Sequence, residues 1–259
     1  MRPYIVRIIS LERKVGKTSV GTSIVRFLSL RGVKAAVVKH AHRGIDLYKD
    51  TGKYLGSGAD SVIALSENTI ALYVNYGSRS IEEAFRLLPR NYGVIIAEGF
   101  KEEDIGDAIG VVRSSEEAFR LLDVSKNIIA FVNTGGRETR LEDIGIKVFN
   151  AYNEGDLRKL AEIVYGKAVN HILKQLPGTN CGKCGYSSCL DYARAYLCGK
   201  TGSCPVTSKV VVEVNGKNIV LNPFVKNVIR NTIIGLLSAL KDTPRDVNGY
   251  RSIKIIIEE

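Results

Sequence analysis

The chain has 259 residues, 45% of them apolar and 25% charged, with five cysteines and a formal net charge of +10. That balance suits a soluble globular protein with a buried core and excludes an extended disordered chain, while the length allows one full α/β domain plus something smaller. No run approaches the roughly 20 consecutive apolar residues that span a bilayer, and the chain runs from Met1 through one short apolar segment into Gly16-Lys17-Thr18, so no membrane partner and a cytoplasmic location are expected.

The basic excess is local. Ten of the 37 Lys and Arg residues but only one of the 27 acids, Glu12, lie in residues 1–45, which therefore carry nine of the ten net charges. These charges alternate with core-like runs such as Ile5 to Ile9 and Ala35 to Val38, unlike a basic nucleic-acid tail. An anion site is expected there, and nucleic acid is not expected as a partner.

In chain order, short β-branched runs predict strands over Tyr4–Ile9, Lys34–Val38, Ser61–Leu65, Ile70–Val74, Gly93–Ala97, Ile109–Arg113, Ile128–Val132 and Ile146–Phe149. Segments of helical period alternate with them, the first from about Gly16 to Leu30 and ending at Gly32, the last a closing helix over Asp156–Gln175. This rhythm predicts an α/β fold of the P-loop NTPase type, a mostly parallel sheet with helices on both faces. Composition changes at Leu176-Pro177-Gly178, after which all five cysteines fall within 24 residues. Lys209–Leu221 alternates around Asn215-Gly216 and predicts a hairpin, followed by a helix over Pro223–Lys241 and a strand over Ser252–Ile257. Three units are expected: a nucleotide-binding domain over residues 1–172, a small cysteine-rich iron–sulfur module over 173–207, and an α+β segment over 208–259.

A strand, a tight loop, Gly16-Lys17-Thr18 and a helix make a phosphate-binding loop. Inward backbone N–H groups cradle phosphate oxygens, Lys17 reaches the terminal phosphates, and the Thr18 hydroxyl joins a Mg²⁺ ion at the helix N-terminus. Leu11 stands where the usual pattern has its first glycine, with Glu12, Arg13 and Lys14 filling the loop. Glu98 ends the strand before Gly99-Phe100-Lys101, where a second Mg²⁺-organising carboxylate sits. Lys39-His40-Ala41-His42 and Asp46 follow the second strand at the edge where open α/β sheets bind ligands. They line the phosphates, or the His-x-His pair binds a metal or merely caps the strand.

The series Val38-Lys39-His40-Ala41-His42, Asp46, Asp50-Thr51-Gly52-Lys53, Gly58-Ala59 and Glu98-Gly99-Phe100-Lys101 resembles the motifs of the molybdopterin-guanine dinucleotide biosynthesis protein B family, over about residues 3 to 165. The resemblance implies a GTP-binding accessory protein for the molybdenum cofactor guanylyltransferase, a MobA-like enzyme that joins GMP to molybdopterin, with at most slow GTP hydrolysis. It further implies that Glu12, Arg13, Lys14, Val15, Gly16, Lys17, Thr18, Ser19 and His40 bind the nucleotide. Asp46 and Glu98 become the catalytic candidates, Thr18 and Glu98 the Mg²⁺ ligands, and Asp46, Asp50 and Lys53 part of a segment near the phosphates. Tyr54 replaces the small residue expected after Lys53, and no Asn-Lys-x-Asp guanine motif is present, Asn133-Thr134 being a weak stand-in. A homodimer is expected from kinship.

Cys181-x2-Cys184-x4-Cys189-x14-Cys204, followed by Pro205, supplies four soft thiolate ligands, with Gly182 and Gly185 freeing the backbone to fold close. A tetrahedral zinc site is the competing reading, although zinc more often uses two separated C-x2-C pairs. Leu176-Pro177, Asn180-Cys181-Gly182, Cys184-Gly185, Cys189 and Cys204-Pro205 are similar to the 4Fe-4S domain of corrinoid iron–sulfur proteins, over about residues 174 to 206. That similarity implies a 4Fe-4S cluster with a redox or docking role, a redox partner, and Cys198 as a spare thiol or one that swaps with Cys204 at the distal position, where the following proline favours Cys204. Two other functions fit the same motifs: an ATPase that gates a low-potential cluster in electron transfer or metallocentre assembly, and a non-catalytic iron–sulfur scaffold with a degenerate phosphate loop.

Overall fold

The computed structural model describes residues 1–40, 50–74, 80–88, 92–136, 144–200, 204, 206, 210–214 and 217–240. In chain order the elements are β1 (Tyr4–Ile9), α1 (Lys17–Leu30), β2 (Ala35–Lys39), α2 (Asp50–Gly56), β3 (Ser61–Leu65), β4 (Ile70–Val74), α3 (Ile81–Leu87), β5 (Val94–Glu98), β6 (Asp107–Val112), α4 (Ser115–Val124), β7 (Ile128–Asn133), β8 (Val148–Asn150), α5 (Glu154–Leu173), α6 (Cys189–Leu197), β9 (Val212–Val214), β10 (Lys217–Ile219) and α7 (Pro223–Ala239). The strand expected over Ser252–Ile257 lies outside the described residues.

β2, β5, β1, β6, β7 and β8 form one sheet in that order, and every neighbouring pair is parallel. Period-two alternation splits its side chains between two cores. Val6 and Ile8 of β1, Ile109 and Val111 of β6, and Ala130 and Val132 of β7 pack with α1 and α5 on one face. Ile9, Ala108, Val112 and Phe131 pack with Ala118 and Leu121 of α4 on the other. Helices therefore cover both faces, as a buried parallel sheet requires.

One expectation changes. Residues 61–65 and 70–74 do not enter the parallel sheet; β3 and β4 pair antiparallel as a separate hairpin. Four residues join them, which suffices for a hairpin but not for the crossover of a dozen or more residues that parallel strands need. Arg7, one of the ten basic residues of 1–45 and set within the core-like run Ile5 to Ile9, is fully buried in β1. Its guanidinium donates to the carbonyls of Ile105, Phe100, Lys101 and Lys126 and to Ser125 Oγ, tying β1 to the loops after β5 and α4. A buried ion stays tolerable when its donors are satisfied in this way.

The cysteine-bearing segment joins the main core. Cys189, Tyr192, Ala193 and Leu197 fall on one stripe of α6 and bury against the α1–α5 face. The Lys34 amide donates to Leu197 O (2.8 Å), and a Cβ on Gly93 would lie 2.7 Å from the Leu197 side chain. Lys34 and Gly93 immediately precede β2 and β5, so α6 caps the N-terminal edge of the sheet. The boundary expected between residues 172 and 173 falls at the last residue of α5. Among the described residues no helix is long and apolar enough to cross a membrane.

Candidate functional site

The C-terminal ends of β1, β2 and β5 converge on residues 10–19, the edge where open α/β sheets present ligand sites. Leu11, at the position of the missing glycine, packs against the α4-side core and anchors the start of the loop there. Positive φ occurs instead at Lys14 (58°) and at Gly16 (100°), the residue that caps α1. Val15 is buried, whereas Glu12, Arg13, Lys14, Thr18 and Ser19 are exposed.

Lys17 Nζ donates to Ser10 Oγ (2.6 Å) and to the Glu12 carbonyl (3.0 Å), which folds its side chain back over the loop. Burial pulls the Lys17 pKa below the ordinary lysine value; Glu98 opposes the shift, while Lys39 and Lys101 add to it. Thr18 Oγ1 donates to Glu98 Oε1 (2.8 Å). Lys39 Nζ contacts both oxygens, at 3.2 Å from Thr18 Oγ1 and 3.1 Å from Glu98 Oε1. A cation thus already sits against the two oxygens expected to face Mg²⁺, and a hydroxyl beside a carboxylate is the donor set that this hard ion takes.

His40 reaches the same edge. Its amide donates to Glu98 O, and its ring stacks on Phe100 with centroids 5.3 Å apart. Gly99 (φ 99°) has no room for a side chain, since a Cβ there would lie 3.0 Å from that of His40. Lys53 lies in the last turn of α2, and Ser19 accepts through its carbonyl from Thr22 and Ser23. Asp46 and His42 lie outside the described residues, and α2 begins at Asp50. Glu12 turns away from the loop centre to an ion pair with Arg113, which also pairs with Glu117 at 2.8 Å. Neither Ser10 nor Arg113 stood out in the sequence; the only signal was their position at strand ends.

At the opposite edge, Cys181 is exposed, Cys184 half-buried, and Cys189 and Cys204 buried; all five thiols are free. Gly178, Asn180, Gly182 and Gly185 all take positive φ, folding the segment tightly, and Asn180 Oδ1 accepts from the Cys189 amide at 2.8 Å. Neighbouring hydrogen bonds, first from the Lys183 backbone and then from Thr179, lower the Cys181 pKa. The soft donors and tight glycine turns fit an iron–sulfur cluster in chemistry. Among the described residues, no three His, Cys, Asp or Glu side chains are gathered closely enough to hold a metal ion. Cys198 is engaged elsewhere, capping α6 with its thiol 3.5 Å from Arg31 O.

Sheet order, loop and site edge define an α/β protein of the P-loop type with a cysteine-rich module on its far edge. The family model for "Molybdopterin guanine dinucleotide synthesis protein B" matches residues 5–134, half of the chain, and the model "Putative Fe-S cluster" matches residues 176–206. A "Putative molybdopterin-guanine dinucleotide biosynthesis adapter protein" from Methanocaldococcus jannaschii is 25% identical over 249 residues, 94% of this chain and 93% of that one. Among solved structures, Bacillus subtilis MobB is similar with a TM-score of 0.52 and 21% identity, covering 63% of this chain and 97% of its own. A molybdopterin-guanine biosynthesis protein B is similar at a TM-score of 0.50 and 25% identity, covering 63% and 99%. The chain belongs to the molybdopterin guanine dinucleotide synthesis protein B family and carries an iron–sulfur module.

Proposed function

We propose that this chain is a GTP-binding accessory protein that helps a MobA-like guanylyltransferase join GMP to molybdopterin. The observation that carries the reading is the cluster of Lys17, Thr18, Glu98 and Lys39 at the ends of β1, β2 and β5. Residues 12–19 hold the phosphates, Lys17 swings from Ser10 to the terminal phosphates, and Lys39 leaves Thr18 and Glu98 free for Mg²⁺ as the phosphate charge arrives. His40 lines the phosphate side, and Asp46 and Glu98 are the carboxylates available for slow hydrolysis. Mg²⁺ supplies charge neutralisation between phosphate oxygens. Cys181, Cys184, Cys189 and Cys204 hold a 4Fe-4S cluster of redox or docking role, which suits a reducing cytoplasm.

The β3–β4 hairpin supports a homodimer, because it stands outside the sheet and exposes Ile63, Leu65, Ile70 and Leu72. The test is anaerobic purification with iron, sulfide and zinc analysis, and a thermal-shift comparison of GTP, ATP and no nucleotide with Mg²⁺ present. Near-stoichiometric 4Fe-4S and a GTP-specific rise are expected; a ligand at 100 times its dissociation constant adds about 2.7 kcal/mol. One zinc per chain refutes the cluster assignment, and no shift with any nucleotide refutes the nucleotide site.

A further inference from the structure

We propose that Tyr152 is the stacking platform for the base of the bound nucleotide, an inference that rests on the nucleotide reading above. The direction in which the nucleotide lies follows from the loop itself. Lys17, Thr18 and Glu98, the groups facing the terminal phosphates, lie toward β5 and β2. The nucleoside therefore trails the other way, over the ends of β6, β7 and β8, which follow β1 in the sheet.

Those three ends form one wall against the loop. Gly135 lies so close to β6 that a Cβ would meet Arg113 O at 2.0 Å. A Cβ on Gly16 would meet the Thr134 methyl at 3.3 Å, so the residue after β7 touches the phosphate loop directly. Asn133 is nearly buried; its Oδ1 accepts from the Gly135 amide (2.8 Å) and its Nδ2 donates to Gly136 O (3.3 Å), holding the turn in shape. From the next strand end, the Ala151 amide donates to Asn133 O, locking β8 to β7 at this point.

Tyr152 stands on that wall. Its amide donates to Asn150 Oδ1 (2.8 Å) and its hydroxyl to Thr134 O (3.0 Å), so the ring is held at both ends. The residue is nevertheless 74% exposed. A large aromatic face that is fixed and left in water loses little further freedom when a flat heterocycle stacks on it. Thr134 links the two sites, its methyl on Gly16 and its carbonyl on the Tyr152 hydroxyl.

Stacking grows with ring area but does not tell guanine from adenine, so the ligand class is a purine nucleotide, and tripolyphosphate isolates the phosphate contribution. The experiment is calorimetric titration of the full-length holo-protein with GTP, ATP and tripolyphosphate, each with Mg²⁺, for wild type, Tyr152→Ala and Tyr152→Phe. Tyr152→Ala is expected to weaken GTP by about tenfold, the range of base–aromatic stacking, and to weaken whatever affinity ATP has by the same factor. Tripolyphosphate binding should stay unchanged, and Tyr152→Phe, which keeps the ring, should bind GTP within about twofold of wild type. Unchanged GTP affinity in Tyr152→Ala, or an equal loss for tripolyphosphate, overturns the proposal. Wild type binding neither GTP nor tripolyphosphate overturns the nucleotide reading and this inference with it, and the wild-type titration alone identifies that case.

Discussion

Lys17 sits half-buried between Ser10 and the Glu12 carbonyl with two other ammonium groups nearby, and its pKa is lowered chiefly by desolvation. In the free protein it therefore gives up its proton at a lower pH than an ordinary lysine. A polyphosphate favours the charged form, so binding takes up a proton wherever the free site has lost one, and affinity falls as pH rises through the free-state pKa. Stability runs the opposite way: the unfolded chain holds this proton more tightly, so the cost of the buried charge fades as pH rises through the same range. Tripolyphosphate affinity measured from pH 7 upward should begin to weaken below the ordinary lysine pKa of about 10.4. The same titration of Lys17→Ala should start weaker and lack that early onset; an equal onset in both would remove Lys17 from the phosphate site. The placing of Lys17, Thr18 and Glu98 at one sheet edge was legible because a Gly-Lys-Thr helix start and an acid closing an apolar strand are local patterns. Ser10 and Arg113 were not, since a serine and an arginine at strand ends acquire meaning only when the sheet brings Arg113 to Glu12 across a hundred residues. The burial of Arg7 likewise takes its meaning from the fold, since its carbonyl partners lie 93 to 119 residues away.

At the scale of elements, strands of the parallel sheet were legible to within a residue or two; β1, β5, β6 and β7 are buried on both faces and read as continuous apolar runs, while the edge strand β2 leaves Val37 exposed. Pairing was less legible. β3 and β4 look like further sheet strands until the four-residue connection forces them antiparallel. The apolar stripe of α6 buries against α5 and the starts of β2 and β5, partners that the sequence does not name. Leu197 is fully buried and its carbonyl accepts from Lys34, so the cysteine segment and the sheet share one core. Leu197→Ala is expected to destabilise the protein by about 2–5 kcal/mol, the range for truncating a buried leucine. Urea unfolding of this variant, followed by circular dichroism and by cluster absorbance, should give coincident transitions shifted together. Loss of the cluster signal well before the secondary structure would mean that α6 unfolds on its own.

Across the whole molecule the two chemistries occupy opposite edges of the sheet. The loop of residues 10–19 lies beyond the last residues of β1, β2 and β5, and α6 lies beneath the first residues of β2 and β5. Five-residue strands separate the edges by about 16 Å at the rise of a β-strand. A physical link does exist, because α1 runs from Lys17 to Leu30 and the turn after it, through Arg31 O, touches the Cys198 thiol. Yet α1 is held by Val20, Ile24 and Leu28, all buried, and coupling along it would need a second arrangement of that packing. Adding GTP with Mg²⁺ should therefore leave the midpoint potential of the cluster where it was, as read by an electron-paramagnetic-resonance titration. A shift of about 60 mV would mean that nucleotide binds one redox state tenfold more tightly, for a one-electron couple. That outcome, with a preference for ATP, would select the gated electron-transfer ATPase over an adapter whose two edges serve two partners. An unchanged potential leaves the cysteine edge to a role set by its own surface, independent of what the other edge binds.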